Sequence, residues 1–344
     1  VKAFLAEARQ AEHYPQHFLV NGVMQPNPET PERIAALKAG ALRAGCEMVA
    51  PREFGMEAIG AVHTPAYLAF LERAWERWQH IPDAAGAVTP NIHPPHRHAG
   101  YPASLVAQAG FHMADASCPI AGGTWQSALW SAWSALSAAE ALLGGVQSAY
   151  ALCRPPGHHA GTDLAGGFCY LNNSAIAARY LQARWPKIAI LDVDLHHGNG
   201  TQDIFWTDPT VFTASIHCDP RRFYPFFWGY AEEEGEGPGK GFNLNLPLPR
   251  GSGDAEFLAA LDTALARIEH FAPDALVVAL GLDAFEGDPF GGLGVTTGGY
   301  GRIGAEIARR LPVPTLLVQE GGYLCPELGD NLTAFLGGSS GSGG

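Results

Sequence analysis

Several short stretches of this chain put metal-binding or proton-moving groups directly after runs of apolar residues. In Leu191-Asp192-Val193-Asp194-Leu195-His196-His197-Gly198-Asn199-Gly200, two carboxylates and an imidazole alternate with other residues. On an extended chain, the period of two places Asp192, Asp194 and His196 on one face. Two of them can ligate one ion while the third orients from behind. Asp283, in Gly281-Leu282-Asp283-Ala284-Phe285, follows a second apolar run and is a further candidate ligand. Two carboxylates and one imidazole, with a fourth position left to water, suit a catalytic zinc ion. An isolated Asp would more often cap a helix or pair with an arginine. Two acids and a histidine at alternate positions after a strand favour the metal.

His158-His159 follows a Pro-Pro-Gly turn in Leu152-Cys153-Arg154-Pro155-Pro156-Gly157-His158-His159-Ala160-Gly161. Adjacent imidazoles in a tightly turned loop suit proton handling near neutral pH. His93, His96 and His98 read instead as surface histidines. Tyr323 follows two glycines at the end of a third apolar run, where a phenol can donate to a developing oxyanion. Other patterns carry less. Gly235–Gly241 is not a phosphate-binding loop, because Lys240 is followed by glycine where Ser or Thr is needed. Trp125, Trp130 and Trp133 lie on an apolar helix and read as core, and Glu232–Glu234 reads as a solvated face.

The elements that must position these groups can be read from periodicity. Ser148–Cys153, Lys187–Val193, Thr210–Ile216, Asp274–Leu280 and Pro314–Gln319 are short apolar runs expected as buried strands. Asn172–Arg184, Asp254–Phe271 and Gly299–Leu311 have helical spacing between them. Strand–helix alternation predicts an α/β fold with one doubly wound, mostly parallel sheet flanked by helices, its ligand crevice beyond the carboxyl ends of the strands. The N-terminal third adds an opening strand and helices over Pro31–Ala44, Pro65–Trp78 and Thr124–Leu143. The Pro- and His-rich stretch from Gln79 to Tyr101 is expected to be a long loop inserted in a single catalytic domain spanning 1–336. Residues 337–344 (GGSSGSGG) read as a flexible linker or tail.

Composition sets the outer bounds. The chain has 344 residues, 47% hydrophobic and only 16% charged, against a usual charged share of ~25%. Its formal net charge of −13 disfavours nucleic acid and anionic membranes as partners and mildly favours cationic ligands. Six cysteines spread without a C-x-x-C pair suggest reduced thiols, neither a disulfide framework nor a thiolate zinc site. No run is long and apolar enough for a membrane span, and the first residues are too short in their apolar part for a signal peptide, so a cytoplasmic location is expected.

The segments VHTPAYLAFLERAWERW, LCRPPGHHAG, GGFCYLNN, AILDVDLHHGNGTQDIF, GYAEE and QEGGY together resemble the histone deacetylase family, and within it the bacterial acetylpolyamine amidohydrolases. The resemblance runs from about Val1 to Leu336. It implies an arginase/deacetylase-like fold with Asp194, His196 and Asp283 as ligands of one Zn2+, or Fe2+ in cells. It implies His159 as general base and then acid, His158 as its electrostatic partner, Asp192 and Asn199 behind them, and Tyr323 as oxyanion donor. Gly167, Phe168 and Tyr224 would line the acyl channel, and a structural K+ would lie near Asp192, Asp194, His196, Ser215 and Ile216. The implied substrate is a small acetylated amine such as acetylputrescine, acetylcadaverine or acetylspermidine. The alternatives are an acetyl-lysine peptide or another small amide, and at the margin a non-catalytic binder of acetylated ligands. The 79–101 loop resembles an insertion that mediates homodimerisation. Asn199 stands where deacetylases acting on histones commonly carry Asp; the acetylpolyamine branch shares the Asn. Polyamine-selective relatives carry an acid near the N-terminus; the matching region here holds His17. Arginases, which share the fold, need further carboxylates for a second metal ion, but the matching positions are Gly198 and Phe285.

Overall fold

Alternate residues along each apolar run go to opposite faces of one sheet, and both faces are covered. The structure, a computed structural model, describes residues 1–98 and 100–339. Its strands are β1 (Lys2–Phe4), β2 (His17–Val20), β3 (Val23–Pro26), β4 (Glu47–Val49), β5 (Ser148–Ala151), β6 (Ile188–Asp192), β7 (Val211–Cys218), β8 (Asn243–Leu248), β9 (Ala275–Leu280) and β10 (Thr315–Gln319). Eight form one sheet in the order β4-β1-β5-β10-β9-β6-β7-β8, every neighbour parallel; β2 and β3 form a separate antiparallel hairpin. The doubly wound parallel sheet expected from the sequence is therefore the fold.

In β6, Ile188 and Ile190 pack into one core while Ala189 and Leu191 pack into the other, and β9 divides Val277 from Leu276 and Val278 in the same way. Burial on both faces is why these strands are apolar without alternation. The first core is closed by helices Pro65–Trp78 and Thr124–Leu143, the second by Asp254–Phe271, Thr297–Arg310 and Leu328–Ser339. Helix Pro65–Trp78 shows the local logic. The Thr64 hydroxyl accepts from the Tyr67 amide, Pro65 opens the first turn, and Tyr67, Phe70, Leu71, Ala74 and Trp78 make one buried stripe.

Three sequence readings are corrected. The final helix runs through Gly337, Gly338 and Ser339, where the sequence reads as a flexible tail. A Cβ on Gly338 would lie 2.1 Å from the Gly301 carbonyl oxygen, so glycine here permits a close crossing of two helices. The remainder of that tail lies outside the described residues. Glu233 is not simply solvated: its carboxylate accepts from Gln202, the Gly229 amide and Asn245. Finally, β6 ends at Asp192, and Asp194 and His196 lie in a bent segment after it. Their convergence comes from a series of turns, in which the Asp192 carboxylate accepts from the Asp194 amide and the Asp194 carboxylate from the His196 amide.

Among the described residues of 79–104 there is neither helix nor strand. This stretch is tied down by Arg97 to Asp163 at 2.5 Å and by the His93 ring to the Gly110 carbonyl at 3.0 Å. His93, His96 and His98 are exposed. No described helix is long and apolar enough to cross a membrane, and all six cysteines are free.

Candidate active site

The four central strands β5, β10, β9 and β6 deliver the reactive groups from their carboxyl ends to one crevice, as doubly wound sheets do. From β6 come Asp192, Asp194 and His196; from β9, Asp283; from β10, Glu320 and Tyr323; from the loop after β5, His158 and His159. All are buried.

Asp194, His196 and Asp283 offer one ligand atom each within 4.8 Å of one another. His196 Nδ1 lies 3.2 Å from Asp194 Oδ1 and 3.1 Å from Asp283 Oδ2. The other oxygens are held by backbone amides, Asp194 Oδ2 by Gly321 at 2.8 Å and Asp283 Oδ1 by Leu195 at 2.9 Å. Each acid is thereby oriented, with one oxygen presented to the shared point. The electrostatics mark a place for a cation. Burial lowers the affinity of His196 for a proton, yet its bonds to Asp194 and Asp283 outweigh that and raise its pKa to about 9. Burial raises the Asp283 carboxyl, with Asp194 adding to it, whereas for Asp194 burial is overcome by His158 and His196, which hold it well below the usual range. Two buried carboxylates around one imidazole fit a divalent ion of the zinc type, since buried charges need a partner. His158, Cys169 and Glu320 also converge. There, His158 Nδ1 is engaged by Asp192, and Glu320 accepts from the amides of Gly157 and His158 and from the Ser174 hydroxyl.

His158 and His159 have ring centroids 4.0 Å apart. His158 Nδ1 is 2.9 Å from Asp192 Oδ2, and His159 Nδ1 is 2.7 Å from the Asn199 side-chain oxygen. The two histidines thus differ sharply in their surroundings. For His158, burial opposes protonation but Asp192 and Asp194 prevail and raise its pKa well above the usual value. For His159, burial and then its neighbours His158 and His196 push the pKa well below it. With Asn199 accepting at Nδ1, His159 keeps a lone pair on Nε2 and can take a proton. Asn199 opens helix Asn199–Phe205, and the amides of Gly200 and Thr201 donate to the His158 carbonyl, locking helix and loop together.

Tyr323 clusters with Phe18 and Phe168 and is only 3% exposed. Its amide donates to Asp288 at 3.0 Å, and the Arg33 guanidinium lies 5.0 Å from its ring centre. Gly167, Phe168 and Tyr224 lie around the His159 ring: the Tyr224 ring stands edge-on to it with centroids 4.9 Å apart, and a Cβ on Gly167 would lie 2.5 Å from His159 Cδ2. Asp192 and Ser215 are register partners on β6 and β7, and Ile216 follows on β7. His17 is exposed on the hairpin whose Phe18 packs against Phe168 at 5.5 Å. Four residues of the crevice were missed by sequence reasoning. Phe223 stacks on His196, Phe290 packs on both His196 and Tyr323, Asp288 anchors Tyr323, and Asp115 bonds to Tyr224. None is part of a chemistry-bearing pattern, so the sequence offered no local signal for them.

Residues 27–338 match the histone deacetylase domain model. An acetylpolyamine amidohydrolase of Burkholderia pseudomallei is 46% identical over 332 residues, which is 96% of each chain. One from Pseudomonas aeruginosa is 46% identical over 338 residues, again 96% of each. The crystal structure of acetylpolyamine aminohydrolase from Burkholderia pseudomallei superposes with a TM-score of 0.95 at 46% identity, covering 99% of both chains.

Proposed function

The chain belongs to the histone deacetylase family, as a metal-dependent amidohydrolase of linear amides, and on that premise we propose that it removes acetyl groups from acetylpolyamines such as acetylputrescine, acetylcadaverine and acetylspermidine. The observation that carries this reading is the meeting of Asp194, His196 and Asp283 at one point beside an uncharged His159. The similarity to amidohydrolases of that name over nearly the whole chain supports the substrate class.

In this reading Asp194, His196 and Asp283 would hold one zinc ion, for which Fe2+ could substitute. A divalent ion there supplies Lewis acidity toward an amide carbonyl and a water molecule. His159 Nε2 takes one proton of the attacking water and returns it to the amine nitrogen as the C–N bond breaks, leaving acetic acid and the free amine, which then exchange a proton to give acetate and the ammonium ion. Tyr323 donates its hydroxyl hydrogen to the oxygen on which negative charge develops. His158, charged through Asp192, supplies a fixed positive charge beside His159, and Asn199 fixes the ring of His159. A second metal ion is disfavoured because a Cβ on Gly198 would lie only 2.2 Å from Asp192 Oδ2, leaving no room for a further carboxylate. Asp192, Asp194, His196, Ser215 and Ile216 are the proposed surroundings of a K+ ion. The exposed Ile92 and Tyr101 of the 79–101 region support its proposed use as a homodimer contact, and the free thiols support a reducing, cytoplasmic setting.

A substrate screen with the metal-loaded protein tests the reading. Acetylputrescine, acetylcadaverine and acetylspermidine should be turned over with kcat/KM at least about tenfold above acetyl-lysine peptides, about 1.4 kcal/mol of discrimination. Preference for the peptides would reverse the assignment. Inertness toward every acetylated amine would leave a binder of such ligands.

A further inference from the structure

The loop that carries Tyr224 and the Gly166–Phe168 turn, proposed above as walls of the acyl channel, are tied to each other through a carboxylate. The Tyr224 hydroxyl donates to Asp115 Oδ2 at 2.6 Å, across 109 positions of sequence. The other oxygen, Oδ1, accepts from the Ser117 amide at 2.7 Å, and the Gly167 amide also stabilises the charge. The segment that carries Asp115 is itself fastened to the opposite wall. The Ala114 amide donates to the Ala165 carbonyl at 2.7 Å, and the Phe168 amide to the Ser117 carbonyl at 3.1 Å.

The phenol oxygen lies against the Gly166–Gly167 turn. A Cβ on Gly167 (φ +47°) would lie 2.8 Å from it and 2.5 Å from His159 Cδ2, and one on Gly166 would lie 3.3 Å from it. The hydroxyl therefore occupies a slot that the two glycines leave open, next to the ring of His159. Burial raises the Asp115 carboxyl, and the bonds from Tyr224 and Ser117 work against that shift. A bond of this length to a desolvated carboxylate is of the strong, charge-assisted kind. Beyond Tyr224 the same loop exposes Phe226, Phe227 and Trp228, so its inner end needs an anchor.

We propose that Asp115 is a positioning residue, and that its bond to the Tyr224 hydroxyl latches the facing walls of the channel at the width that suits a slender, unbranched acetylated amine. The inference rests on the acetylpolyamine reading above and adds what sets its selectivity. An ångström of misplacement beside the general base is enough to reduce turnover severely, so a fixed wall matters more here than elsewhere on the surface.

Three variants test it: Tyr224→Phe, Asp115→Ala and Asp115→Asn, each with acetylputrescine, a neutral N-alkylacetamide of matched length, and an acetyl-lysine peptide. Tyr224→Phe keeps the ring and cuts the latch. It should raise KM for both slender substrates about tenfold, kcat falling less, and so narrow their advantage over the peptide. Asp115→Ala should do the same. Asp115→Asn can still accept from Ser117 and can donate its amide hydrogen to the phenol oxygen, so its KM should stay within about threefold of the parent. Metal content unchanged in Tyr224→Phe, with a melting temperature lowered by only a few degrees, separates the latch from general loosening. An unchanged KM in Tyr224→Phe overturns the proposal. So does a loss in Asp115→Asn as large as in Asp115→Ala and confined to the cationic substrate, which would mean that Asp115 reads charge directly. If the parent protein hydrolyses another acetamide but no acetylpolyamine, the substrate reading falls, and the latch is judged on that amide.

Discussion

Tyr323 stands just past the end of β10, its amide fixed on Asp288 and its ring packed by Phe168 and Phe290. Its hydroxyl is kept protonated, because burial pushes its pKa well above the usual phenol value and the Arg33 guanidinium only partly offsets this. A phenol that stays neutral is a hydrogen-bond donor at every working pH. Removing that donor with Tyr323→Phe should lower kcat by about 10²–10³, the cost of one oxyanion donor. KM and bound metal should change little, because the ring and the ligands stay in place. Steady-state kinetics with metal analysis of the same sample checks this, and an undiminished kcat would exclude Tyr323 from the reaction. At this scale the sequence was most informative where chemistry and chain neighbourhood coincide. His158 and His159 are adjacent, and Asp192, Asp194 and His196 fall within five positions. Asp115 is a lone acid between two alanines, and its partner is 109 residues away. No spacing rule reaches that far.

The elements hold the candidate metal ligands through backbone as much as through side chains. Gly321, just past β10, donates its amide to Asp194 Oδ2, and a Cβ built on it would stand 2.3 Å from Asp283 Oδ2 and 2.6 Å from Asp194 Oδ2. Those oxygens belong to the two acids that converge on His196, so a methyl group at this turn must displace at least one of them. Gly321→Ala is therefore expected to weaken metal binding by about 10–100-fold, the range for disturbing the groups that orient ligands. Competition with a chromogenic chelator measures it. Gly337→Ala is the control: it faces open space in the last helix, where alanine should be neutral or mildly stabilising. Equal metal affinity in the two variants would contradict this account of the turn. The central strands were legible because burial on both faces makes β6 and β9 unbroken apolar runs. The edge strands were not. β4 has only three residues, β8 (Asn243-Leu244-Asn245-Leu246-Pro247-Leu248) mixes amides and a proline into its pattern, and all four residues of β3 are exposed.

At the scale of the molecule, strand order is what brings distant segments together. β6 lies between β7 and β9, and β10 between β9 and β5; periodicity shows that strands exist but carries no information about which neighbour each one takes. The same long-range assembly buries titratable groups whose charge states depend on the whole fold. His63, in the turn ahead of helix Pro65–Trp78, accepts from the Asn172 amide at Nε2, just where Asn172 caps helix Asn173–Leu181. Burial lowers its pKa to about 4, against 6.5 when free. A histidine in that position binds fewer protons folded than unfolded. Its contribution to stability is therefore complete above pH 6.5 and is lost as pH falls toward 4, roughly 3 kcal/mol in all. Glu320 and Asp288, both raised to about 7 chiefly by burial, act with the opposite sign over much of the same range. The total pH curve of the protein is thus a sum of opposed parts, and only a difference isolates one of them. His63→Gln retains an acceptor for the Asn172 amide but cannot titrate. Measured by urea unfolding at pH 7 and at pH 4, the stability of the parent relative to this variant should fall by that roughly 3 kcal/mol. A constant difference across the range would mean that His63 is either already charged in the fold or free of its amide partner.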